Sequence, residues 1–159
     1  MNRNKTSVLF EGLEGKGLRI GIVKSRWNSK YTDSIAQGVL QACHDHGVEA
    51  EDVVELDVPG AYEVMYGAKH LIDTDQVDAV VCIGVLIKGA TMHFEYISEA
   101  VSQGIKDLNI ITGVPVVFGV LTCLDEKQAN VRSFGEHNHG YPWGQTAIEM
   151  AMLKKKNSL

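Results

Sequence analysis

The chain has 159 residues, of which 45% are hydrophobic and 22% charged, with a net charge of −5. This composition is typical of one globular domain, and the negative charge argues against a nucleic-acid partner, which would need a clustered basic face. No run of about 18 apolar residues and no signal-peptide-like amino terminus are present, so we expect a cytoplasmic protein without a membrane-spanning helix or a membrane partner.

The amino-terminal part of the chain predicts a strand followed by an amphipathic helix. The apolar run 18–24 predicts the first strand. Ile35, Val39 and Cys43 then recur every fourth residue, which is the spacing of one face of a helix. They predict a helix over residues 29–46, and the two elements together form a first β-α unit.

The next two predicted strands differ in polarity. In residues 53–58, apolar side chains alternate with Glu55 and Asp57, which indicates a strand with one exposed face near the edge of a sheet. A helix over about 61–72 follows it. The next strand, 79–87, is almost wholly apolar, as is typical of a central parallel strand that is covered on both faces.

The carboxyl-terminal half repeats the alternation of strand and helix. An apolar stripe at spacings of three and four predicts a helix and consists of Phe94, Ile97, Val101, Ile105 and Leu108. Residues 114–121 form the fourth predicted strand. Asp125, with Gln128 three residues later, resembles the capping box of a short helix. Pro142 lies in the first turn of a last helix, whose carboxyl end carries lysines 154–156.

The order of these elements predicts the fold class. Four strands that alternate with helices favour a doubly wound parallel sheet with helices on both faces, a three-layer α/β/α sandwich. No internal repeat or linker interrupts the pattern, so we assign residues 13–159 to a single domain. Residues 1–12 form an amino-terminal arm, in which 7–10 are apolar enough to make a short extra strand.

Chemically unusual residues follow the ends of the predicted strands. In doubly wound sheets, ligands bind outside the carboxyl ends of the strands. Trp27 and Asn28 follow the first strand, 59–63 the second and 88–93 the third, and Phe118 lies in the fourth. The indole of Trp27 can stack on a flat heterocycle, although it could instead only cover a helix end. The clustering at one edge favours a binding site for a planar ligand.

The segment Gly89-Ala90-Thr91 opens the helix after the central strand. Small residues at a helix start let backbone N–H groups approach an anion, and the helix dipole favours negative charge there. An ordinary helix start is the alternative, because the sequence has neither the P-loop motif nor the dinucleotide-binding glycine motif. His93 lies next to this segment and can exchange protons near neutral pH, with a packed or surface histidine as the alternative.

Cysteines and paired histidines allow two further interpretations. The three cysteines form no C-x-x-C pair, and Cys82 and Cys123 lie in or beside apolar strands. Buried, reduced thiols are therefore favoured over a catalytic thiol. Two His-x-His pairs, at 44–46 and 137–139, raise the possibility of a metal site. No cysteine or nearby acid completes a set of four ligands, so we predict no metal.

The candidate residues resemble those of the lumazine synthase family. The match rests on residues 89–94 (Gly-Ala-Thr-Met-His-Phe), residues 60–63 (Gly-Ala-Tyr-Glu), Trp27, Phe118 and Arg132. It implies a flavodoxin-like, four-stranded parallel sheet. It also implies condensation of 5-amino-6-(ribitylamino)uracil with 3,4-dihydroxy-2-butanone 4-phosphate to give 6,7-dimethyl-8-ribityllumazine, phosphate and water. Since the substrates supply both reactive groups, the resemblance implies no cofactor.

The resemblance also implies roles for individual residues. The pyrimidine and its ribityl chain would be bound by Trp27, Asn28, Ala61, Tyr62, Glu63, Val85, Leu86, Ile87 and Phe118. The phosphate would be bound by Ala90, Thr91 and Arg132, and His93 would be the catalytic residue that shuttles protons. After Arg132 the chain departs from the family. Many members carry lysines where this chain has residues 136–140, so the role of His139 stays open.

The resemblance also implies an oligomeric assembly, and two other functions are alternatives to it. The resemblance implies a homopentamer with each site between neighbours, in which Phe118 comes from the next chain and residues 8–10 extend a neighbour's sheet. A sixty-subunit shell stays open. A flavin-binding protein without turnover would use Trp27 to hold riboflavin, and a riboflavin synthase of related fold would need no phosphate site. Thr91, His93 and Arg132 together favour the synthase over both rivals.

Overall fold

The computed structural model describes residues 8–157, which contain four strands and five α-helices. The strands are β1 (Ile20–Ser25), β2 (Val53–Val58), β3 (Ala79–Ile87) and β4 (Val116–Cys123). The α-helices are α1 (Ser29–Asp45), α2 (Val64–Asp75), α3 (His93–Thr112), α4 (Glu126–Ser133) and α5 (Gly140–Lys156). Short 3₁₀ turns precede β2, α2 and α5.

The strands form one parallel sheet in the order β2-β1-β3-β4. This order confirms the doubly wound, flavodoxin-like prediction, and it places the polar β2 at an edge and the apolar β3 between two neighbours. The strand order reverses between β1 and β3. Ligand-binding crevices of such sheets lie at the carboxyl ends of the strands beside that reversal.

Helices cover both faces of the sheet and enclose two apolar cores. Val81, Ile83 and Val85 of β3 point into the core beneath α1 and α5, whereas Val80 and Cys82 point into the core beneath α2 and α3. All five side chains are at most 2% exposed. Each fully buried valine or isoleucine stabilises the fold by about 1.5–3 kcal/mol, which explains why β3 lacks polar residues.

The bounds of two strands differ from the predicted ones, and both strands begin late because an apolar residue can be buried without belonging to a strand. The prediction of 18–24 is wrong at its start. Leu18 is buried, but its N–H donates to the Gly15 carbonyl in a turn, at 3.0 Å. The prediction of 114–121 is wrong at both ends. The Val114 N–H donates to the Thr112 hydroxyl at 3.1 Å, and β4 continues to Cys123.

The helix predicted over about 61–72 is wrong in its bounds, because 61–63 form a 3₁₀ turn and α2 runs over Val64–Asp75. The predicted cap of α4 and the predicted end of α5 are confirmed with one change in detail. The Asp125 carboxylate accepts from the Gln128 N–H at 2.8 Å, as a helix cap requires. The Gln128 side chain accepts from the Leu124 N–H at 2.9 Å instead of completing the capping box at Asp125. Pro142 lies in the first turn of α5, and the lysines 154–156 end that helix.

The amino-terminal arm is described only from Val8 onward. Val8 and Leu9 are 73% and 79% exposed, and residues 8–10 join none of the four described strands β1–β4. Residues 1–7 of the predicted arm lie outside the described residues. Within the range that the structure covers, no helix is both long and apolar enough to cross a membrane.

Candidate active site

A first cleft opens at the carboxyl ends of β1 and β3, where the strand order reverses. Its volume is about 680 Å³. It is lined by Trp27, Asn28, Pro59, Gly60, Ala61, Tyr62, Glu63, Val85, Leu86, Ile87, Gly89, Thr91, His93, Phe94 and Ile97. The sheet topology therefore brings ten of the sequence-predicted site residues to one cavity.

The loop after β1 presents an aromatic face to this cleft. The N–H groups of Arg26 and Trp27 donate to the carbonyls of Val58 and Pro59, at 2.8 and 3.0 Å, and so tie the loop to the end of β2. The Trp27 side chain is 74% exposed. An indole held on a fixed backbone but left uncovered can stack on a planar ligand, whereas a residue that only covers a helix end would be buried.

Asn28 positions this loop by its backbone conformation and its side chain. Its φ of 61° and ψ of 39° lie in the left-handed region, which asparagine tolerates better than most residues. Its Nδ2 donates to the Val85 carbonyl at 2.7 Å. Because that donor is committed to β3, Asn28 contributes to the cleft mainly by fixing where Trp27 stands.

The 3₁₀ turn after β2 supplies a carboxylate and a set of backbone groups. Glu63 accepts from the Gly60 N–H through Oε2, at 2.9 Å, which closes the turn on itself. Ala61 is buried beneath the cleft, and a Cβ on Gly84 of β3 would stand only 3.0 Å from the Ala61 Cβ. This close packing holds the backbone of the turn against the sheet, with exposed Tyr62 beside the cleft.

The connection from β3 to α3 forms the polar wall of the first cleft. The Thr91 hydroxyl accepts from the His93 N–H at 3.4 Å, and both side chains are exposed. The first N–H groups of a helix have no partner within the helix, so this end of α3 can accept an anion. Ala90 lies between two lining residues, Gly89 and Thr91, but does not itself line the cleft.

Phe118 and Arg132 lie elsewhere, in a second cleft of about 290 Å³. Its lining is Phe118, Val120, Leu121, Thr122, Cys123, Gln128, Arg132, His139 and Trp143, none of which lines the first cleft. Phe118 pairs in register with Cys82, in the middle of β3, so it lies along edge strand β4 and not at the carboxyl end of the sheet. The expectation that Phe118 belongs to the same edge of the fold as Trp27 is therefore wrong within one chain.

Long-range contacts hold α4, which carries Arg132, against α1. The Tyr31 hydroxyl donates to Glu126 at 2.7 Å, and the Ser34 hydroxyl donates to the Ser133 carbonyl at 2.6 Å. Burial, followed by the bond to Glu126, raises the pKa of Tyr31 to about 12, so the hydroxyl stays a donor. Arg132 itself donates to the Gln128 carbonyl of its own helix at 3.0 Å.

Sequence reasoning missed several lining residues. Phe94 and Ile97 were assigned to the packing stripe of α3, yet both border the first cleft. Their position at the beginning of that stripe, next to His93, is the signal that could have identified them. His139 and Trp143 line the second cleft with ring centroids 5.5 Å apart, edge to face. Nothing in their local sequence links them to Phe118.

The thiol and metal interpretations gain no support from the structure. All three cysteines are buried, and burial raises the pKa of Cys43 to about 11 and that of Cys82 further above its usual range. A nucleophilic cysteine requires the opposite shift. Between residues 8 and 157, no three histidine, cysteine or acidic side chains come together as metal ligands.

Comparison with known proteins points to one enzyme family. Residues 17–155 match the sequence model of the family described as 6,7-dimethyl-8-ribityllumazine synthase. A protein of that name from Schizosaccharomyces pombe is 45% identical over 143 residues, 88% of this chain and 90% of its own length. Those from Flavobacterium psychrophilum and Thermococcus gammatolerans are 43% and 39% identical over 145 residues, 91% of this chain and 77% and 93% of their own lengths.

Proposed function

The chain belongs to the 6,7-dimethyl-8-ribityllumazine synthase family, and from that premise we propose that its two clefts are the two halves of an active site shared between neighbouring subunits. The enzyme acts in riboflavin biosynthesis. It condenses 5-amino-6-(ribitylamino)uracil with 3,4-dihydroxy-2-butanone 4-phosphate to give 6,7-dimethyl-8-ribityllumazine, phosphate and water. One observation carries the proposal: Arg132 and Phe118 share a cleft with each other and not with His93.

The first cleft binds the pyrimidine in this proposal. Trp27 stacks on the ring, whose other contacts are Val85, Leu86 and Ile87 at the end of β3. The turn at residues 61–63 receives the ribityl hydroxyls. One oxygen of Glu63 already fixes the turn through the Gly60 N–H, and the other is available to a hydroxyl donor.

The start of α3 and the second cleft of a neighbour bind the phosphate. The N–H groups near Ala90, the Thr91 hydroxyl and the helix dipole stabilise an anion from one side. Arg132, which projects from α4 of the next subunit, adds charge-assisted hydrogen bonds from the other side. Phe118, beside Arg132, then closes over the stacked ring.

The reaction needs orientation more than a reactive protein group. The primary amine of the pyrimidine condenses with the ketone of the second substrate and releases one water, and phosphate then leaves by elimination. The second amine adds to the carbonyl that this elimination produces and closes the ring with loss of a second water. The substrates supply both nucleophile and electrophile, so holding them together supplies most of the acceleration. His93 takes up and returns protons during these steps, and the cationic site stabilises the departing phosphate.

A shared site requires an oligomer, and we propose a homopentamer. Support comes from two exposed aromatic side chains. Phe118, which lines the second cleft, is 39% exposed, and Phe134, which directly follows α4, is 38% exposed. The exposed apolar residues 8–10 are available to add to a neighbour's sheet edge. Light scattering should give about five times the 17.4 kDa chain mass.

The buried thiols are compatible with the reducing cytoplasm, which we propose as the compartment.

The reaction itself is tested by mixing the purified protein with both substrates. We expect lumazine absorbance and inorganic phosphate to appear together, in equal amounts, and only when both substrates are present. A riboflavin synthase would consume lumazine without releasing phosphate. A flavin-binding protein without turnover would produce neither signal, so either of these outcomes would overturn the assignment.

Trp27 also predicts binding of riboflavin, which has a larger ring system than the pyrimidine. An exposed indole beside a cleft of about 680 Å³ can stack on the tricyclic flavin and quench its fluorescence. We expect saturable quenching on titration and binding weaker by about 5- to 150-fold for Trp27→Gly, which loses one aromatic stack of about 1–3 kcal/mol. Tyr66→Ala is the control, because it removes an exposed aromatic ring of α2 that lines neither cleft. Equal quenching by Trp27→Gly would contradict the stacking role.

A further inference from the structure

An ion pair spans the proposed phosphate-binding loop without touching the first cleft. Lys88 immediately follows β3, and its N–H donates to the Cys123 carbonyl at 2.9 Å. Glu95 lies in the first turn of α3, and its carboxylate is 2.5 Å from the Lys88 ammonium. Gly89, Thr91 and His93 lie between the two in sequence and line the cleft, whereas Lys88 and Glu95 do not.

The ion pair between Lys88 and Glu95 adds little to the stability of the fold. The side chains of Lys88 and Glu95 are 47% and 31% exposed. Ion pairs with such access to water contribute little to folding, because water screens the two charges. The position of the pair is more informative than its strength, because it places one negative and one positive charge at the two ends of an anion-binding segment.

The negative charge of Glu95 opposes the binding of a phosphate at the start of α3. An acidic side chain in the first turn of a helix interacts favourably with the same positive helix end that a bound anion uses. The bond to Lys88 holds the pKa of the Glu95 carboxyl below its usual range, so Glu95 is ionised at neutral pH. Without a counter-charge, a carboxylate in the first turn of α3, four residues after Thr91 in sequence, would repel a substrate phosphate.

We propose that Lys88 is a charge-compensating residue that cancels the field of Glu95 at the phosphate site and so sets the affinity for the phosphorylated substrate. The inference rests on the proposed assignment of the phosphate to the start of α3. It assigns Lys88 no contact with the substrate. Its effect is electrostatic and acts through Glu95, so it applies to the phosphate-bearing substrate and not to the pyrimidine.

A charge cycle in the intact enzyme tests the proposal. Lys88→Met removes the charge and retains an apolar stem, and Glu95→Gln removes the opposing charge with almost no change of shape. For Lys88→Met we expect about a ten-fold rise in KM for the butanone phosphate and in the inhibition constant of inorganic phosphate, from an unpaired unit charge close to an anion. KM for the pyrimidine should change less than about two-fold, since that substrate lacks a comparable charge.

The double variant separates charge from shape. Lys88→Met with Glu95→Gln should return the phosphate inhibition constant to within about two-fold of wild type, and Lys88→Arg should match wild type, since both leave no unpaired negative charge. The Lys88→Met defect should also shrink between about 0.05 and 0.5 M salt because ions screen the field of Glu95. If the ion pair between Lys88 and Glu95 only held the loop in shape, breaking it from either side would have the same effect. Glu95→Gln would then be as impaired as Lys88→Met, and the double variant would not recover. That result would overturn the proposal.

Controls distinguish this inference from the site assignment on which it rests. Lys106 and Asp107 form a second exposed ion pair, 3.2 Å apart, near the other end of α3. Lys106→Met should leave all three constants unchanged. If inorganic phosphate does not compete with the butanone phosphate in wild-type enzyme, the phosphate site itself is misassigned. If it competes but Lys88→Met binds it as tightly as wild type, only the role of Lys88 fails.

Discussion

Replacing His93 by alanine should lower kcat by between about ten-fold and 10⁴-fold while the protein remains folded. General acid–base catalysis typically contributes about 10²–10⁴-fold, and the lower bound allows for the orientation of the substrates that survives the change. The structure favours this role because His93 begins α3 with its side chain exposed in the first cleft. It lies beside Thr91, where phosphate departure and proton transfer would occur together.

The measurement is steady-state lumazine formation at saturating concentrations of both substrates, so that weakened binding does not contribute. His70→Ala is the matched control, since His70 is an exposed histidine on α2 that lines neither cleft. Circular dichroism and thermal unfolding should show that both variants retain the wild-type fold. Wild-type kcat in a folded His93→Ala variant would remove His93 from the mechanism.

Local sequence patterns predicted the order of the elements and ten of the residues that line the first cleft. The unbroken apolar run 79–87 identified the central strand, because only a strand covered on both faces can lack polar residues. The alternation around Glu55 and Asp57 identified an edge strand for the complementary reason. Strand ends in a parallel sheet share one edge, so naming the residues after β1 and β3 was enough to bring Trp27 and His93 together.

The second cleft could not be predicted in this way because it depends on contacts between distant segments. Phe118 is 39% exposed in β4 because that strand lies at an edge of the sheet, and no local pattern encodes the strand order. Arg132 is placed by the bonds of Tyr31 and Ser34 to α4, which span 95 and 99 residues of sequence. The residues that form these bonds, such as Glu126, are common polar residues, and nothing in their local sequence predicts the contact. Family resemblance supplied the names of these site residues, but the structure supplied the separation between the clefts.

This separation predicts a specific defect for Arg132→Ala. We expect KM for the butanone phosphate to rise by about 10- to 100-fold, since hydrogen bonds to a charged group contribute about 1.5–3 kcal/mol. KM for the pyrimidine should change by less than about three-fold, because that substrate has no phosphate for the guanidinium to bind. Lys127→Ala is the control, a cation lost from the same helix outside both clefts. Equal increases for both substrates would contradict a phosphate role.

Mixing His93→Ala with Arg132→Ala then tests whether sites are shared. If each site joins the first cleft of one subunit to the second cleft of the next, random rings made from equal amounts contain about one quarter of wild-type sites. After subunit exchange, we expect about a quarter of wild-type activity at butanone phosphate concentrations far below the KM of Arg132→Ala. Mixing His93→Ala with His93→Asn should restore nothing, because both lesions lie on the first-cleft side of every interface. If His93 and Arg132 instead served the same site within one chain, every site in every mixture would carry a lesion. No recovery despite exchange shown by mass spectrometry, or a monomer by light scattering, would therefore exclude the shared site.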